Sequence, residues 1–121
     1  NTIYTITTEG IILCHMGDFG QKELTPEEVD KIGNVHVLMI PVGGTYTIDG
    51  KEAGKIISQI EPKIIIPMHY ALAKLKPNLA KVDEFLQVMG KKELEPQGKL
   101  NLKAKDVAGE IKEAEIVVMR P

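Results

Sequence analysis

A chain of 121 residues is one domain's worth of polypeptide, 43% of it apolar, with a formal charge of −2. That near balance gives no steering field for nucleic acid or an anionic membrane, and three Tyr and two Phe are too few for a base-stacking platform. No apolar run approaches a membrane span, and no basic-then-apolar leader opens the chain. Cys14 stands alone, which rules out an internal disulfide and fits a reducing, cytoplasmic setting.

Thr2 to Thr8 alternates β-branched and aromatic residues, the pattern of a strand. Glu9-Gly10 is a turn, and Ile11 to His15 returns as a second strand. Thr25-Pro26-Glu27-Glu28 predicts a helix start, with Thr at the N-cap, Pro at the first helical position and Glu three residues after the cap. Gly33 closes that helix. Val35 to Ile40 predicts a strand stopped by Pro41 and Gly43-Gly44. Asp49 caps a second helix with Glu52 as its reciprocal partner, and Ala53, Ile56, Ile57 and Ile60 share one face. Pro62 ends it. Lys63 to Ile66 predicts a strand broken by Pro67. A third helix is expected from about Asn78 to Met89, closed by Gly90. Two more strands are expected, one near Leu100 to Leu102 and one at Glu115 to Met119.

The order β-β-α-β-α-β-α-β-β implies an α/β fold with a parallel section joined by right-handed crossovers. Three helices are few for a sheet whose strands are apolar on both sides, so one sheet face is expected to await a further layer.

In open α/β sheets the ligand crevice lies beyond the carboxyl ends of the strands. His15 and Asp18 follow the second strand, Gly43-Gly44 the third and His69-Tyr70 the fourth. One edge would thus gather two imidazoles, a carboxylate and a Gly-Gly that permits close backbone approach, and imidazole with carboxylate suits divalent zinc, iron or manganese. Each element also has a plainer reading: His15 as a strand cap or a support for a ligand, Asp18 as a turn residue, His69 as a core or loop histidine. His36 and Cys14 lie within strands and read as structural. Asp18-Phe19-Gly20 spells the protein-kinase magnesium triplet, but no Gly-rich loop, strand lysine or His-Arg-Asp loop accompanies it. A flavodoxin-like phosphate site at Gly43-Gly44 would lead directly into a helix, whereas Thr45 to Asp49 intervene.

The segments "NTIYTITTEGIILCHMGDFG", "VHVLMIPVGGTYTIDGKEA" and "PKIIIPMHY" resemble the metallo-β-lactamase-fold hydrolases. The likeness is greatest to the branch that includes ascorbate-6-phosphate lactonase. The resemblance implies an αββα sandwich with a metal site, often binuclear, at one edge between the sheets. It implies that Asp18 is the carboxylate able to bridge two metals, that His69 is the last histidine ligand, and that His15 stands behind the ligands. The family's His-x-His-x-Asp-His cluster is absent and would lie upstream of Asn1. Residues 1–121 therefore resemble a single unit, the C-terminal half of the fold, with a mixed sheet and helices on one face.

Two accounts of function follow. In the first, the parent protein is a metal-dependent hydrolase of a small ester, lactone, amide or phosphoester, acting through metal-activated water. Asp18 and His69 hold the metal, Tyr46 or Tyr70 hydrogen-bonds substrate, and this chain by itself is nearly inactive because the site is incomplete. In the second, the half-fold is non-catalytic and self-associates, covering its bare sheet face with a second copy of itself as a homodimer; the missing N-terminal half is the other partner expected for this chain. Covering such a face is worth on the order of 15–20 kcal/mol before association costs.

Overall fold

The structure is a computed structural model that describes residues 2–44, 47–70, 81–91, 94–108 and 114–120. Five strands form one mixed sheet in sequence order: β1 (Tyr4–Thr8), β2 (Ile11–His15), β3 (Val37–Pro41), β4 (Ile64–Met68) and β5 (Glu115–Ile116). β1 runs antiparallel to β2, and the other pairs are parallel. Each parallel crossover carries one helix: α1 (Pro26–Ile32), α2 (Gly50–Ile60) and α3 (Val82–Val88). Crossovers of one hand that always step to the next strand put every helix on the same sheet face. The α/β class, the mixed sheet and the one-sided helices expected from sequence are all present.

The helix caps follow the local chemistry. Thr25 and Asp49 each accept from the amide three residues on, and Glu28 and Glu52 reach back to the cap amides. Gly33 ends α1 with φ 68°, and Glu61 ends α2 in the left-handed conformation. Against the helices the sheet presents Cys14, Leu38, Ile40, Ile65, Ile116 and Val118, packed on Ala53, Ile56 and Ile57 of α2 and Phe85 and Leu86 of α3. Gly50 brings α2 and α3 close, since a Cβ there would stand 3.0 Å from the Phe85 Cα.

The opposite sheet face carries Ile11, Val37, Ile64, Ile66 and Val117, with Leu100, Leu102 and Val107 packed over part of it. Farther along the same face Tyr4 and Ile6 are 59% and 52% exposed. The face that the sequence leaves wanting a layer is thus partly dressed by the chain's own segment 94–108 and bare over β1.

Four expectations need correction. Pro67 does not break its strand but lies inside β4, paired with Ile40. Neighbouring residues of a parallel strand point their backbone groups to opposite sides. Ile65 accepts from Val117 on β5's flank, and Met68 accepts from Val42 on β3's flank. The missing N–H of Pro67 therefore faces the β5 side, and the β4–β5 ladder ends there, with Ile65–Ile116 as its last pair. Leu100 to Leu102 form no strand; a 3-10 turn at Ala104–Asp106 follows them. The last strand stops at Ile116, and Met119 makes only an isolated bridge to Gln97. β3 begins at Val37, and His36 precedes it. His36 Nδ1 accepts from the Ile12 amide at 2.9 Å, and its own amide donates to the Ile12 carbonyl at 2.9 Å, which bears out its structural reading. The expected start of α3, Asn78 to Ala80, lies outside the described residues, and so does Tyr46.

Candidate functional site

The C-terminal ends of β2, β3 and β4 share one rim. His15 pairs with Met39, and Met39 with Ile66, so these three residues stand on one rung. Asp18 is three residues past the rung on β2, and His69 is three residues past it on β4. The two are separated across the rim by two strand spacings, roughly 10 Å between backbones. Val42, Gly43 and Gly44 leave β3 between them. This is the gathering at one edge that the strand endings imply.

The turn that carries Asp18 is clamped on both sides. Met16 is fully buried and its amide donates to the Met39 carbonyl at 3.0 Å. Phe19 is 2% exposed and its carbonyl accepts from the Ile48 amide at 2.9 Å. Between these anchors Gly17 takes φ 61°, a conformation that glycine adopts at no steric cost. Its amide donates to His15 Nδ1 at 3.1 Å. The result is an exposed carboxylate on a short turn held by two buried side chains. Sequence reasoning passed over Met16 and Phe19. The signal was an apolar residue on each flank of Gly17-Asp18.

His69 is half-buried and has φ 53°. Among the described residues, two other non-glycine residues share that sign. Glu9 turns the β1–β2 hairpin and Glu61 caps α2, so each has a local reason. His69 ends a strand and has neither. Histidine is among the non-glycine residues that reach this region more readily than most, and here it follows the end of β4. Tyr70 donates its hydroxyl to the Met119 carbonyl at 3.3 Å, and burial pushes its phenol up. Gly43 bridges Asp49, and Gly44, at φ 84°, donates to the Ile48 carbonyl at 3.1 Å. These glycines fold the loop onto the cap of α2. Burial pushes the Cys14 thiol up to about 11, as befits a core residue and not a nucleophile.

Carboxylate oxygen and imidazole nitrogen are donors that zinc and other first-row divalent ions accept. Among the described residues no three His, Cys, Asp or Glu side chains cluster to hold an ion. Asp18 and His69 are of the donor types that such an ion accepts, and two of them do not fill a shell. A groove of about 600 Å³ lies elsewhere, beside α1, lined by Leu24, Pro26, Val29 and Gln59 among others and by none of the rim residues. Its Gln59 side chain is internally satisfied: it accepts from the Leu24 amide and donates to the Leu24 carbonyl. No helix among the described residues is long and apolar enough to cross a membrane.

Residues 1–69 match the model of a beta-lactamase superfamily domain. A UPF0173 metal-dependent hydrolase of Pyrococcus furiosus is 33% identical over 92 residues, covering 74% of this chain and 39% of that protein. Another, from Aeropyrum pernix, is 42% identical over 65 residues, 54% of this chain and 26% of that protein. Among solved structures, a candidate Zn-dependent hydrolase of the metallo-β-lactamase superfamily from Thermotoga maritima superposes with a TM-score of 0.80 at 43% identity, covering 97% of this chain and 57% of that one. Igni18, a metallo hydrolase of Ignicoccus hospitalis, superposes with a TM-score of 0.61 at 25% identity, covering 97% of this chain and 41% of its own. The chain spans about two fifths of the length of the Pyrococcus relative.

Proposed function

This chain belongs to the metallo-β-lactamase superfamily, and from that premise we propose that its rim supplies Asp18 and His69 as two ligands of a divalent metal centre, zinc or else manganese or iron, in a cytoplasmic hydrolase of small esters, lactones, amides or phosphoesters. The observation that carries the reading is the shared rung: both residues stand three positions beyond paired residues of β2 and β4.

Each side chain has a distinct task. Asp18, on a clamped turn, offers two oxygens and can bridge two ions. His69 offers one nitrogen from the opposite side of the rim. Gly43 and Gly44 leave room for a substrate to approach backbone between them, and Tyr46 or Tyr70 hydrogen-bonds substrate, Tyr70 as an acceptor because its hydroxyl proton goes to the Met119 carbonyl. When bound, the cation supplies a hydrolytic nucleophile from water near neutral pH and polarises the scissile group. A catalytic zinc takes about three protein ligands plus water, so the shell is completed by residues outside this chain and the chain alone turns over little.

Metal titration tests this, with cobalt(II) absorption as the readout. Asp18→Ala and His69→Ala each weaken binding tenfold or more. Glu61→Ala, on the far side of α2, leaves it unchanged. Equal affinity in wild type and both rim variants refutes the proposal.

A second reading is favoured by one observation, the exposure of Tyr4 and Ile6 on the sheet face away from the helices. Here the half-fold is covered by a second copy of itself or by an N-terminal half of the family fold, without catalysis of its own. Sedimentation at low micromolar concentration decides it for the homodimer. A monomer that stays monodisperse overturns self-association.

A further inference from the structure

We propose that His15 is a positioning residue that aims the Asp18 turn through the Gly17 amide and stays outside the metal's ligand set. This rests on the reading of Asp18 as a ligand.

The chemistry of the ring decides its role. A backbone N–H can only donate, so the 3.1 Å contact from Gly17 requires a lone pair on His15 Nδ1. The neutral ring then carries its proton on Nε2. One nitrogen is occupied as an acceptor and the other is a donor, so the imidazole has no free lone pair for a cation. His69 follows a different strand, three positions beyond the same rung of the sheet.

The mechanics explain why the bond matters for Asp18. Met16 and Phe19 fix the turn from outside, but the peptide between Met16 and Gly17 precedes the residue with the greatest backbone freedom in the turn. His15 closes that gap with an i to i+2 bond from side chain to backbone. An Asx-turn makes the same closure with an Asn or Asp oxygen. The imidazole here does the work of a shorter polar side chain and keeps an N–H to spare.

Two variants at this exposed position, with one measurement on wild type, separate positioning from ligation. His15→Ala speeds amide exchange at Gly17 and weakens cobalt(II) binding about tenfold, the low end for outer partners of metal ligands. His15→Asn restores both, because its Oδ1 accepts from the Gly17 amide. In wild type, zinc leaves the His15 ring nitrogens with their Nε2–H signature by NMR while the His69 ring signals move. Three results overturn the proposal: unchanged Gly17 exchange in His15→Ala, an Asn variant as weak as the Ala variant, or a His15 ring that shifts as a direct ligand. If Asp18→Ala fails to alter metal binding, the ligand reading of Asp18 falls and this proposal with it, while Gly17 exchange still reports whether the His15 closure exists.

Discussion

Replacing Phe19 with Ala tests whether the fold positions the Asp18 turn as described. Phe19 is 2% exposed, lies in the helix-side core and adjoins Asp18 in sequence. A buried aromatic side chain hides about 150–250 Å², which at about 25 cal/mol per Å² amounts to roughly 4–6 kcal/mol. Alanine keeps part of that area and the cavity relaxes, so the expected cost is about 3–5 kcal/mol. With a urea slope of about 2 kcal/mol per M, the unfolding midpoint falls by about 2 M. Phe19→Leu keeps most of the apolar volume and costs less than about 1.5 kcal/mol. Circular dichroism in urea reads both. A midpoint shift under about 0.5 M for Phe19→Ala, with the slope unchanged, refutes the claim that this side chain anchors the turn. In the absence of urea, where the variant remains folded, its metal affinity is also expected to drop.

Two further outcomes follow from the same packing. Gly50→Ala puts a Cβ 3.0 Å from the Phe85 Cα and 3.1 Å from its backbone nitrogen; this forces α2 and α3 apart and costs about 1–3 kcal/mol by chemical denaturation. The Cys14 thiol, raised to about 11 by burial, resists alkylation at pH 8 in the native state and reacts fully in denaturant. The fold favours its protonated form, so its contribution to stability is complete below the ordinary thiol value of 9.0 and declines as pH rises toward 11. The difference between wild type and Cys14→Ala across that window isolates this effect.

Much of this molecule is written in local pattern. The caps of α1 and α2 fall where Thr25-Pro26-Glu27-Glu28 and Asp49 with Glu52 put them, because a capping box needs only four consecutive residues. β2 spans Ile11 to His15 as its apolar run implies. What local pattern misses depends on neighbours. Pro67 is tolerated because its missing N–H faces the short edge strand β5, whose pairing ends there, and not the β3 ladder, a fact of register and not of composition. Leu100 and Leu102 are apolar because they cover a sheet face, which needs no strand. The rim was legible at the level of strand endings, since parallel strands deliver their following residues to one side. The left-handed backbone of His69 and the ring contact from His15 to Gly17 were not, because both depend on torsions that spacing leaves undetermined.

The sheet is assembled in the order in which the chain is made: each strand's partner is the one before it. No gap in the middle waits for a segment synthesised later. A polypeptide emerging from the ribosome can add strands singly, with each crossover helix laid down before the next edge appears. Loop closures stay short as far as β4, and so does the interval during which a hydrophobic edge is left without a neighbour; the connection from β4 to β5 is the long one. The Asp18 turn is in place a full two strands before His69 arrives, so the last step of building the sheet's middle is also the one that brings the imidazole to the waiting carboxylate's rim.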